Sequence, residues 1–213
     1  MKNALACIAA GLVLLAGGAL AKPYEEGVQY VPITPQPPVG SGDQVEVIEF
    51  FWYGCNHCND FEPVVSKWAA GLPDNVTFTQ MPVMFGGAAD MHAQVYYALE
   101  GMGELERLHG KIFHTIHGEG NKLRTRDEID AMLQKNGVDM DKYREAMNSF
   151  AVAAKVNRAR ALMRRYGIRG VPALVIDGRY RSGSGFRSYE DMTEVVDFVV
   201  DKVLAQRKAQ TTP

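Results

Sequence analysis

Cys55-Asn56-His57-Cys58 is where residue types and spacing point most directly to a reaction. Two cysteines two residues apart at the start of a helix lie close enough to form a small, strained, reversible disulfide. The helix N-terminal amides and dipole favour a thiolate on the first of them, and a protonatable His57 adds a second positive influence. Cys55 is therefore the expected nucleophile, and Cys58, one turn further in, the less accessible resolving thiol. A metal site is the alternative, but structural zinc takes four ligands, typically a second cysteine pair or histidines at set spacing. His109, His114 and His117 fall in one helical stretch, where only His114 and His117 share a face and no cysteine or acid stands at metal spacing; they read as surface or partly buried helix residues. No metal and no cofactor are expected. Ser182-Gly183-Ser184-Gly185 lacks the lysine and spacing of a phosphate loop and reads as a flexible turn.

The cysteine arithmetic sharpens this reading. Lys2, an apolar stretch from Ala4 to Ala16 and small residues ending in Ala19-Leu20-Ala21 have the form of a secretory signal, with cleavage expected after Ala21. The apolar run is shorter than the roughly 20 residues that span a bilayer, which disfavours an uncleaved anchor. Loss of residues 1–21 removes Cys7 and leaves Cys55 and Cys58 out of 3 cysteines. In an oxidising compartment structural disulfides normally close long loops, whereas this pair would constrain almost nothing, so chemistry or metal binding is left to account for it.

The elements that must position the pair follow from patterning. Val45–Trp52 (VEVIEFFW) is β-rich with apolar residues on both faces, as in a strand of a sheet covered on both sides. Phe61, Val64, Val65 and Trp68 recur at helical spacing within Asn59–Ala70, and Val76–Met81 alternates like a strand, which places the pair at the strand-to-helix junction of a βαβ unit. Residues 88 to about 165 read as helix after helix: Thr125 with Glu128 has the form of a capping box, Asp139 is a cap, and Phe150–Tyr166 ends at Gly167. β character returns in Val171–Ile176, turns at Asp177-Gly178 and continues through Arg179–Arg181; Ser188 with Asp191 then caps a last helix reaching about Arg207. Upstream, the prolines of Lys22–Gly42 disfavour helix and central strand and suggest an extended arm lying on the domain. At 213 residues, 46% hydrophobic and 23% charged, the chain can bury one good-sized core with an inserted subdomain. A net charge of -2 offers no basic field, so neither nucleic acid nor an anionic membrane surface is an expected partner.

With C-x-x-C between strand and helix and Val171-Pro172 before a later strand, the chain resembles the thioredoxin-fold family, in its DsbA branch of dithiol oxidases. The resemblance spans residues 22–213 and is carried by Tyr24-Glu25-Glu26-Gly27 and Tyr30, Glu49-Phe50-Phe51 leading into Cys55, the helical insert, and Arg169-Gly170-Val171-Pro172-Ala173. It implies an α/β, thioredoxin-like fold with an inserted all-helical subdomain: 22–86 and 162–213 forming the thioredoxin-like domain, 87–161 the insert. It also implies that Pro172 is cis and faces the cysteines, that the Val171 backbone bonds an extended substrate, and that Glu49 is a buried acid assisting proton movement. The implied enzyme donates its Cys55–Cys58 disulfide through a mixed disulfide to reduced or unfolded exported polypeptides in the periplasm of a Gram-negative bacterium. A quinone-linked membrane reoxidase resembling DsbB restores the disulfide, and the enzyme is a monomer. Two departures stand out: Asn56 replaces the proline of the best-known members, which leaves the potential open, and Gln80 stands where a lysine can occur near the buried acid. The same fold could serve a reductase or isomerase, and Cys55, His57 and Cys58 could serve a metal chaperone. Met84 and Phe85 could line a substrate groove or belong to the core.

Overall fold

The computed structural model describes residues 24–37 and 43–211. The expected signal segment 1–21, with Cys7, lies outside the described residues, as do residues 38–42 of the arm.

β2 (Val45–Phe51) is buried at every position except Glu46, because it runs through the middle of the sheet with packing on both faces. Val45 and Val47 point into a core shared with α1 (Asn56–Ala69) and α7 (Tyr189–Thr211), while Ile48 and Phe50 point into a second core built with the helical block. β3 (Val76–Pro82) runs parallel to β2, with Glu49 opposite Gln80. β4 (Ala173–Ile176) lies antiparallel on the other side of β2, followed by β5 (Tyr180–Ser182) and, at the edge, β1 (Tyr30–Pro32). The order is β1-β5-β4-β2-β3. Between β3 and β4 come α2 (Ala88–Gly101), α3 (Leu105–His117), α4 (Arg126–Lys135), α5 (Met140–Met147) and α6 (Phe150–Tyr166). This is the thioredoxin-like α/β fold with an inserted helical region.

The local signals act as their chemistry demands. Thr125 and Glu128 form a reciprocal capping box, and the Asp139 side chain accepts from Asp141 and Lys142 N–H. Gly167, at φ 65, ends α6 with Gly167 N–H bonded to Arg164 C=O and Ile168 N–H to Met163 C=O, the two bonds of a Schellman motif. Asp177 and Gly178 both take positive φ, 55 and 61, and the turn closes with Arg179 N–H on Ile176 C=O at 3.0 Å.

Two local features differ from the sequence reading. α1 begins at Asn56 rather than Asn59, because Cys55 C=O already accepts from Asn59 N–H at 3.1 Å although the apolar periodicity starts only at Phe61. Gly183 and Ser184 are not a free turn: their N–H groups bond Gln29 C=O at 2.8 Å and Val28 C=O at 2.9 Å, extending the ladder that holds the arm. A Cβ on Gly183 would stand 1.9 Å from the Val28 carbonyl oxygen, so only glycine allows this approach.

Candidate active site

Cys55 occupies the N-cap of α1 with extended φ/ψ, next to the free amides of the first turn, and makes no side-chain cap bond. Its thiol is pulled down to about 6, above all by a hydrogen bond from the Cys58 thiol, with burial opposing and the His57 and Cys58 N–H groups and the His57 charge adding to the effect. Cys58 is 1% exposed. That same hydrogen bond and its burial push its thiol far above the ordinary range. The pair is therefore asymmetric: a half-buried sulfur that ionises easily and a buried one that keeps its proton.

The Val171–Pro172 peptide bond is cis, and the Val171 carbonyl oxygen accepts from Cys55 Sγ at 3.5 Å. His57 is exposed, with Nδ1 3.1 Å from Tyr189 Oη at the start of α7. His57, Val171, Pro172, Phe186, Tyr189 and Met192 line an open groove of about 420 Å³. Met84 packs against the core, whereas Phe85 is 47% exposed.

Glu49 is 1% exposed, and burial pushes its carboxyl up to about 8, against a hydrogen bond from Gln80 and with the nearby Glu62 charge adding to the rise. Its Oε2 accepts from Gln80 Nε2 at 2.9 Å, and the same nitrogen donates to Glu62 Oε2 at 2.8 Å. Gln80 thus ties two carboxyls together through one amide. Glu62 also accepts from Ser66 Oγ at 2.7 Å and lies 3.3 Å from His109 Nε2. Despite its own burial, these contacts, His109 foremost, hold Glu62 below the ordinary carboxyl range.

Sequence reasoning did not find the histidines that surround the residues leading into Cys55. His92 on α2 accepts from Trp52 Nε1 at 3.2 Å; on α3, His109 Nδ1 lies 2.8 Å from Tyr53 Oη and His117 Nε2 lies 2.7 Å from the Tyr53 carbonyl oxygen. Of the surface or partly buried placements expected, His109 takes the inner one: it is 9% exposed inside a cluster with Phe51, Tyr53, Tyr96 and Phe113. A His-Ala pair following an acidic helix start carries no local signal of such partners. Among the described residues, no group of three or more His, Cys, Asp or Glu side chains forms a metal-holding cluster, and no helix is long and apolar enough to cross a membrane.

A sheet of this order with a C-x-x-C pair at its β2–α1 junction and a cis-proline opposite is that of a thioredoxin-fold thiol–disulfide oxidoreductase. Comparison with known proteins narrows the class. The DSBA-like thioredoxin domain family matches residues 46–197, and the chain belongs to that family. It is 37% identical over 205 residues to the thiol:disulfide interchange protein DsbA of Pseudomonas syringae pv. tomato, covering 96% of this chain and 95% of that one. The DsbA of Azotobacter vinelandii is 37% identical over 215 residues, covering 98% and 99%. The crystal structure of Pseudomonas aeruginosa DsbA superposes with a TM-score of 0.79 at 36% identity, covering 87% of this chain and 97% of that one. The protein is a thiol–disulfide oxidoreductase.

Proposed function

We propose that the protein is a dithiol oxidase that passes its Cys55–Cys58 disulfide to reduced or unfolded exported polypeptides. A substrate thiolate attacks Cys55 sulfur, forming a substrate–Cys55 bond and breaking the Cys55–Cys58 bond. Cys58 leaves with the electron pair and takes a proton, for which Glu49, held neutral by burial, is the donor. A second substrate thiolate then attacks the substrate sulfur of the mixed disulfide, and Cys55 departs as a thiolate. The substrate gains a disulfide, and the enzyme gains two electrons and must be reoxidised. The groove lined by Val171, Pro172, Phe186 and Met192 would seat an extended segment beside the reacting sulfur, with the Val171 backbone as its hydrogen-bonding partner.

The observation that carries this reading is the asymmetry of the pair: a leaving group is best when its thiolate is stabilised, and Cys55 is pulled down to about 6 while Cys58 is buried. The signal-like segment 1–21 supports work in the periplasm of a Gram-negative cell, with a quinone-linked membrane protein resembling DsbB as reoxidase and a monomer as the working form. Residues 22–86 and 162–213 would then carry the chemistry and 87–161 would cover it. Equilibrating the mature protein with glutathione buffers and quantifying the disulfide tests the direction of transfer. A potential near the about -120 mV known for DsbA itself is expected; one near the about -270 mV of thioredoxin would make the protein a reductase.

A further inference from the structure

Trp52, Tyr53 and Gly54 connect β2 to the reactive cysteine, and the helical insert holds them by side chains rather than by backbone pairing. The indole of Trp52 lies flat over Gly54: a Cβ on Gly54 would stand 2.4 Å from its Cζ2 atom. Trp52 C=O accepts from Cys55 N–H at 3.0 Å, so the same residue fixes the turn that delivers Cys55 to the helix start. What fixes Trp52 is His92, which is 3% exposed.

The protonation of His92 follows from its partners. An indole N–H only donates, so His92 Nδ1, 3.2 Å from Trp52 Nε1, carries no proton; a carbonyl only accepts, so Nε2, 2.8 Å from Leu123 oxygen, carries one. His92 is a neutral imidazole in a single tautomer, bridging the insert's α3–α4 loop to the tryptophan. His117 must likewise donate from Nε2 to the Tyr53 carbonyl, and His109 engages the Tyr53 hydroxyl. Three histidines from two helices of the insert thus grip two consecutive residues.

We propose that His92 is a positioning residue for Cys55, acting through Trp52, so that the docking of the insert sets the reactivity of the thiol. The reading rests on Cys55 being the attacked sulfur. Loss of the His92 acceptor leaves a partly buried indole N–H without that partner and frees the ring to leave Gly54; the Trp52–Cys55 turn then loosens and the sulfur loses its alignment with the His57 and Cys58 amides.

The test compares His92→Phe, His92→Asn, Trp52→Phe and the His92→Phe/Trp52→Phe double variant by thiolate absorbance titration of Cys55, rate of disulfide transfer to a reduced model peptide, and denaturant stability. His92→Phe should raise the apparent pKa of Cys55 by about one pH unit. It should slow transfer by about tenfold, the ratio that about 1.4 kcal/mol represents. Trp52→Phe should reproduce both changes, the double variant should add nothing further, and His92→Asn, whose amide oxygen can replace Nδ1 as acceptor, should recover most of the wild-type titration. If His92→Phe does not fold, Trp52→Phe carries the test alone. Lost stability with the Cys55 titration and transfer rate unchanged, or strictly additive effects in the double variant, would overturn the proposal. Failure of the underlying reading would look different, since the wild-type protein itself would then transfer no disulfide through Cys55.

Discussion

A carboxyl kept neutral inside a protein destabilises the fold progressively as pH rises above its solution value, because the unfolded chain is free to ionise. Glu49 is such a group: burial lifts it from 4.5 to about 8. With the folded value above the unfolded one, stability is greatest below about pH 4.5, falls as pH rises, and levels off above about 8. Glu49→Gln keeps the shape and removes the ionisation, so it should stabilise the protein at pH 7 by about 2–3 kcal/mol and flatten the pH dependence between those limits. Urea unfolding of both forms across that range checks this, and a variant no more stable than wild type at pH 7 would refute it. Transfer should slow in the same variant, because Cys58 loses its proton donor. At this scale the cysteines were legible because their chemistry is local: two residues of spacing decide whether the sulfurs can meet. Glu49 was reached only by resemblance, since its partners Gln80 and Glu62 come from a neighbouring strand and a helix. His92, His109 and His117 were illegible as a group, because helical spacing identifies a face and not what that face will touch.

Elements with local signals were readable from the chain, and those made by distant pairing were not. The capping box at Thr125, the Gly167 terminus and the Asp177-Gly178 turn announce themselves within a few residues. β1 does not, because a three-residue edge strand among prolines becomes a strand only through β5. Gly183 is the clearest case, a residue whose identity is dictated by a carbonyl on the arm. Gly183→Ala should force that carbonyl away, costing roughly 2–3 kcal/mol and loosening residues 24–37. Limited proteolysis should then cut the arm well before the rest of the domain; an arm as resistant as in wild type would refute the assignment.

For the molecule as a whole, the half-buried thiolate couples redox state to stability. Cys55 titrates near 9 when unfolded and near 6 when folded, so its contribution to the reduced form is complete above about pH 9 and disappears as pH falls through 6. The oxidised form has no such group. The stability of the reduced protein relative to the oxidised one should therefore rise from pH 6 to pH 9 by roughly 2 kcal/mol, a value halved to allow for water screening a partly exposed sulfur. Paired calorimetric scans of the two forms check this, and a gap that ignores pH would contradict it.

The order β1-β5-β4-β2-β3 pairs the first strand with the last. A chain made from its N-terminus has finished β1, β2, α1 and the whole helical block before residues 180–182 exist to close the sheet, and contacts of such long sequence separation form slowly. The cis-proline strand and the α7 face that bury the base of α1 also arrive in that final portion. Throughout synthesis, then, Cys55 and Cys58 lack the Val171 carbonyl and the Pro172, Phe186 and Met192 walls of the groove beside them. The newborn enzyme thus carries its thiols long before it has anywhere to seat a client, and its groove appears only with its last 40 or so residues.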